Sequence, residues 1–180
     1  SLDANTTGSS NSAVGSNALG VNTTGGYNVA LGVNALDANT TADSNVALGY
    51  AALGANTTAS ANTAVGYDAM VLNTTGTNNV AVGYKVLDAN TTGTNNSALG
   101  YAALSAATTA TYNVAVGANA MGNAIVTGDH NVGIGHAALA LITSGTRCVA
   151  VGNLAGDELT TATATTLVGR AAGHAITTGS

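Results

Sequence analysis

Few side chains in this sequence could do chemistry, and they do not gather. Asp129, His130, His136 and Cys148 are the nearest thing to a metal-ligand set. Their spacing matches no compact zinc pattern, whose ligand pairs lie a few residues apart. Asp157-Glu158 is one acidic pair, and no Ser, His and Asp recur together as nucleophile, base and orienting acid would. Val132-Gly133-Ile134-Gly135 has the glycines of a phosphate loop but no following helix and no nearby Lys. The reading is therefore a protein that is not an enzyme, with no catalytic residue, no metal and no cofactor.

Composition narrows the classes further. The chain has 180 residues, no Pro, Phe or Trp, 6% charged residues and 46% hydrophobic ones. Disordered segments are charge-rich and Pro-rich, so disorder does not fit. Three Lys+Arg against eight Asp+Glu cannot neutralise a phosphate backbone, which excludes nucleic acid as a partner. One Cys makes no disulfide scaffold. The longest strongly apolar run, Ala137 to Ile142, is far short of the roughly 20 residues a helical span needs. No membrane insertion is expected of this segment. Ser1-Leu2-Asp3-Ala4-Asn5 has no leader-like pattern.

What organises the chain is a repeat. Gly15, Gly32, Gly49, Gly66, Gly83, Gly100, Gly117, Gly135, Gly152 and Gly169 follow one another every 17 residues, with one step of 18 between Gly117 and Gly135. The consensus is N-V-A-V-G-Y-x-A-L-x-A-N-T-T-G-T-N, whose columns we number from 1 at Asn. The chain starts and ends inside a unit, as a segment of a longer protein would. Val, Thr and Asn with regular Gly predict strands and turns. The expected fold is all-β: a parallel β-solenoid or β-roll of stacked 17-residue coils. Ten coils at the strand spacing would make a rod about 48 Å long.

Each column then has a role. Column 4, always aliphatic from Val14 to Val168, is expected to point into the coil together with column 2. Column 3, including Ala30, Ala47, Ala64, Ala81, Ala98 and Ala115, then faces outward. An outward face held at Ala predicts close packing against another chain, so these alanines are the expected inter-chain packing column. Columns 8 and 9, as in Ala18-Leu19, are expected to form a second strand. Column 12 (Asn5, Asn22, Asn39, Asn56, Asn73, Asn90) and column 1 (Asn11 to Asn131) read as stacked amide ladders. Near residue 107 the rule changes. Column 12 becomes Ala107, Ile125, Ile142, Leu159 and Ile176, and column 9 becomes Gly156 and Gly173. Residues 1–112 are thus regular repeats with an Asn ladder, and 113–180 are variant repeats with an aliphatic ladder in the same rod.

Three further features invite a function. Tyr50, Tyr67, Tyr84 and Tyr101 fill column 6 in successive coils, a possible contact strip for a glycan or a protein partner. Thr-Thr at columns 13 and 14 raises ice binding, although adjacent residues of a strand point to opposite faces. The N-T-T triplets are glycosylation sequons, or simply a by-product of the ladder.

Asn79-Val80-Ala81-Val82-Gly83-Tyr84 with Leu87-Asp88-Ala89-Asn90-Thr91-Thr92-Gly93 resembles the tandem repeats of tail-fibre proteins of marine phages and related bacterial surface proteins. The N-x-A-V/L-G core is also similar to the head repeats of trimeric autotransporter adhesins, from which it departs by an extended N-T-T-G loop. The resemblance implies a homotrimer of identical chains on a virion tail or cell surface, giving reach and attachment to a cell-surface glycan or receptor. It carries over no catalytic or receptor-binding residue. A monomeric ice-binding solenoid and a subunit of an extracellular filament are the alternatives.

Overall fold

A computed structural model describes residues 1–178; residues 179 and 180, the end of the variant segment, lie outside the described residues. The chain is a parallel β-solenoid with one three-residue strand per coil. The strands are β1 (Ser12–Val14), β2 (Val29–Leu31), β3 (Val46–Leu48), β4 (Thr63–Val65), β5 (Val80–Val82), β6 (Ser97–Leu99), β7 (Val114–Val116), β8 (Val132–Ile134), β9 (Val149–Val151) and β10 (Thr166–Val168). They form one sheet in chain order, each parallel to the next and in register, so that Ala47 sits over Ala30 and Ala64 over Ala47. The expected solenoid and tandem repeat are present, and the 18-residue step is absorbed without loss of register: Val132 pairs with Val114.

The strand faces are the reverse of those expected. Column 3 points inward: Ala30, Ala47, Ala64, Ala81, Ala98 and Ala115 are all buried by their own chain. They are not an inter-chain packing column. Column 4 points outward, with Leu31 and Leu99 each 50% exposed. The reason is the thinness of the coil. Leu or Met from column 9 (Leu36, Leu53, Met70, Leu87) already fills the interior, and only a methyl fits between it and the sheet. Each such Leu or Met contributes about 1.5–3 kcal/mol by burial.

Column 9 is not a second strand. It is a turn whose Leu points inward from a left-handed backbone, as at Leu36 (φ 50°) and Leu87 (φ 51°). Columns 7 and 17 are left-handed as well, for example Lys85 (φ 51°) and Asn95 (φ 58°). Such residues cost roughly 1–2 kcal/mol each in isolation. Here main-chain hydrogen bonds to the next coil offset that cost even in the turns. Leu36 N–H donates to the Ala52 carbonyl at 3.1 Å and Thr23 N–H to the Thr40 carbonyl at 2.9 Å.

Column 5 is Gly for two reasons. Its φ lies between 124° and 139°, and a Cβ there would strike the Gly carbonyl of the next coil in every coil from Gly15 to Gly152. Near the C-terminus the core swaps sizes across the coil. Leu167 replaces Ala at column 3 and fills the space over Gly156 and Gly173, where a Cβ would come within 3.0 Å and 2.6 Å of it. Column 12 in the long coil is also reassigned: Val126 takes the buried position, while Ile125 is 64% exposed.

Candidate functional site

The interior is committed to structure. In column 12 each Asn Nδ2 donates to the Oδ1 of the coil before it: Asn22 to Asn5 at 2.8 Å, Asn39 to Asn22 at 2.8 Å, then Asn56, Asn73 and Asn90 in turn. In column 1 the Oδ1 accepts the backbone N–H of the next Asn, as Asn79 Oδ1 does from Asn96 N at 2.9 Å, while Nδ2 donates to the column-15 carbonyl. Asn22, Asn39, Asn56, Asn73 and Asn90 are buried, which leaves their sequons out of reach of a glycosyl transfer to the folded chain. Cys148 occupies column 1 and is buried, with its Sγ 3.2 Å from the Ala162 carbonyl.

The threonines divide between the two roles. Column-13 hydroxyls donate to the carbonyl of the next column-13 residue, as Thr74 does to Thr91 at 3.0 Å and Thr91 to Thr108 at 3.0 Å. Only column 14 stands free. Two outward Thr per strand, the spacing an ice-matched face requires, are not presented.

Asp129, His130, His136 and Cys148 are not brought together. His130 stacks on Tyr112 with centroids 4.9 Å apart, His136 lies on the opposite flank of the strand, and Cys148 is inside. Among the described residues no three His, Cys, Asp or Glu side chains cluster as metal ligands would. Asp129 instead accepts the Thr111 N–H at 2.6 Å, as Asp43 accepts the Gly26 N–H at 2.6 Å. Asp157 pairs with His174 at 3.1 Å, and that carboxylate pushes the imidazole above its ordinary range. Burial raises the Asp88 carboxyl, Lys85 opposing it. Column 10 carries Asp3, Asp37, Asp88 and Asp157, never in adjacent coils, so like charges are not stacked at the strand spacing.

The outer surface of the sheet is different. Columns 2 and 4 point out along β1 to β10 and carry only Val, Leu, Ile, Thr and Ser. A strip about 48 Å by 10 Å is on the order of 500 Å² in footprint. That is as large as the biggest apolar patch of an ordinary monomer, and such patches mark contact surfaces. Column 6 borders it with the expected ladder. Tyr50, Tyr67, Tyr84 and Tyr101 stack with centroids 5.1–5.4 Å apart and planes within 13°. Their ring faces cover one another and their edges and hydroxyls face solvent. A sugar laid flat on a ring therefore finds a free face only at the ends of the stack. Lys85 Nζ lies 5.8 Å from the Tyr84 ring.

Sequence reasoning missed the strip of columns 2 and 4 because it placed those residues inside. The signal was available in column 1: a buried Asn at column 1 puts column 3 on the same inward face by the period of two. Compared with family models, with curated proteins and with solved structures, the chain gives no significant match.

Proposed function

We propose that this chain is a structural rod whose outward sheet face packs against identical chains, three around an axis parallel to the rods, to build a fibre shaft or adhesin head. The observation that carries this reading is the uncharged strip of columns 2 and 4, continuous over ten strands. Stacked main-chain ladders supply stiffness along the axis, and the covered strip would supply association. Apart from Asn90 Oδ1 and Thr165 Oγ1 the buried polar side-chain atoms of the described residues are hydrogen-bonded, and the exposed titratable groups are dispersed, an arrangement suited to reach rather than turnover. A surface setting, on a virion tail or a cell, follows from such a role. Attachment to a glycan or receptor would use coil edges, to which no residue is assigned.

Sedimentation equilibrium tests the reading. The expected particle is a multiple of the 17.2 kDa chain, three-fold for the trimer. Replacing Leu31 and Leu99 by Lys should dissociate it into monomers with unchanged circular dichroism, because both side chains are half exposed in the single chain. A folded wild-type monomer at micromolar concentration overturns it.

A further inference from the structure

The six tyrosines are distributed in a way the single chain does not explain. Columns 17 and 6 are the outward positions on either side of each strand, so every strand has one flanking residue before it and one after it. At β3 to β6 the residue after the strand is Tyr50, Tyr67, Tyr84 or Tyr101. The residue before it is then small or short: Ser44, Ala61, Asn78 or Asn95. At β2 and β7 the sides exchange. Tyr27 and Tyr112 precede the strand, and Val33 and Ala118 follow it. Six successive levels thus carry one tyrosine each and never two. The trend continues with cations: Arg147 is opposite Asn153 at β9 and Arg170 is opposite Ala164 at β10, while β8 carries His on both sides.

Within one chain the two flanks have separate partners. Column-6 rings stack on column-6 rings, and Tyr112 stacks on His130 of its own column. The backbone does not force the choice either. Column 17 is left-handed whether it holds Tyr27 (φ 60°), Ala61 (φ 61°) or Asn78 (φ 59°). Complementary sizes at equal height are what two surfaces in contact would need.

We propose that neighbouring copies lie parallel and in register, with the column-6 edge of one copy against the column-17 edge of the next. A rotation axis along the rods places these two edges side by side at the same level, in a head-to-tail lateral contact that closes into a ring. Each level from β2 to β7 then receives one tyrosine over a smaller side chain: Tyr84 of one copy lies over Asn78 of its neighbour, and at β7 the roles reverse. An antiparallel pair would set each level against a different one and lose the match. The occupant of the strip is therefore a second copy of this chain. This inference rests on the self-association reading and adds direction, register and the residues at the seam.

The test exchanges sides at one level. Asn78→Tyr puts two tyrosines at β5, and Tyr84→Ala leaves none. Each should weaken assembly about tenfold, and the double variant, which mimics the arrangement at β7, should return to within about threefold of wild type. In monomers carrying Leu31→Lys and Leu99→Lys the two changes should act on melting additively, since residues 78 and 84 touch different columns of their own chain: Tyr84→Ala loses its stacks on Tyr67 and Tyr101 whatever residue 78 is. In a second measurement, chains with Asn78→Cys are assembled together with chains carrying Tyr84→Cys and treated with a short bifunctional thiol reagent. A cross-link is expected in the mixture, but in neither variant alone and not between Asn78→Cys and Tyr50→Cys chains, two levels apart. Wild type, whose Cys148 is buried, is the blank. Assembly of normal mass without the 78–84 cross-link, or purely additive single effects, overturns the register. A monomeric wild type overturns the self-association reading itself.

Discussion

Up to Asn90, column 12 is an amide ladder; beyond it the same buried place is held by Ala107, Val126, Ile142 and Leu159. Column 1 persists as Asn to Asn131, and even its first replacement, Cys148, still receives the ladder: Cys148 N–H donates to Asn131 Oδ1 at 3.0 Å. The difference teaches which amide is required. The column-15 carbonyl accepts two donors in the early coils: Gly93 O takes one from Asn79 at 2.9 Å and one from Asn90 at 3.2 Å. In the later coils the column-12 donor is gone and column 1 alone remains, as from Asn131 to the Gly145 carbonyl at 2.8 Å. A carbonyl with one good partner is satisfied, so column 12 can turn aliphatic. Column 1 also accepts a backbone N–H, which has no second choice. The ladder stops with a loose end: Asn90 Oδ1 is buried and has no partner, because Ala107 stands where its donor would be.

Removing one rung from each column should therefore have unequal effects. Asn79→Ala leaves the buried Asn96 N–H without an acceptor and should destabilise the rod by about 3 kcal/mol, an orphaned donor plus a small cavity. Asn73→Ala leaves Asn56 Oδ1 unpaired and takes one acceptor from Asn90 Nδ2, which keeps Gly93 O, while Gly76 O keeps its bond from Asn62; it should cost about 1–2 kcal/mol. Chemical denaturation of the two variants measures the gap. Equal losses would mean that column 12 is not redundant and that the later coils are compensated in some other way.

The opposite change should extend the ladder. Ala107→Asn offers its Nδ2 to the orphaned Asn90 Oδ1 and to the Ala110 carbonyl, whose donor is now Asn96 alone. Its coil has the same Ala103-Leu104 pair that lies beside the amides of earlier coils, so the side chain has a place to go. The Oδ1 of the new amide inherits the loose end beneath Val126, so the gain is confined to the bonds its Nδ2 adds and should not exceed about 1 kcal/mol. A loss of stability would show that the interior has already contracted around the methyl of Ala107.

Much of this was legible in the sequence, but unevenly. The glycine column fixed the period, and Asn at fixed spacing announced its ladders, because only a stacked coil gives identical amides identical partners. The strand faces were not legible from hydrophobicity. Val82 and Leu99 are larger than Ala81 and Ala98, yet the smaller residues are inside, since Leu87 and Leu104 have already taken the volume. The left-handed Leu turns left no trace either, for Leu is an unusual residue at positive φ and the neighbouring coil imposes that conformation. The tyrosine strip was visible as a column, but its relation to column 17 needed the strand boundaries that place both on the flanks of the same level.

The two regions should also differ in their response to pH. All three His lie beyond Tyr112. His174 in the last coil is hydrogen-bonded to Asp157, one coil below, and its pKa is raised first by that bond and then by the charges of Asp157 and Glu158. A folded-state pKa above the unfolded value of about 6.5 stabilises the coil below that pH, and the contribution fades as pH rises through the folded pKa. The last coil should therefore fray more at pH 8 than at pH 6. The contact is exposed, so the effect is small and screened by salt. Hydrogen exchange, corrected for its intrinsic pH dependence, should show it at the amide of Gly156, which donates to the Ala172 carbonyl at 2.9 Å. The amide of Leu53, which makes the equivalent bond to Ala69 at 3.0 Å in a region without His, should show none. His174→Asn should abolish the difference at Gly156. If the difference survives in that variant, exchange at Gly156 is not governed by the His174–Asp157 pair.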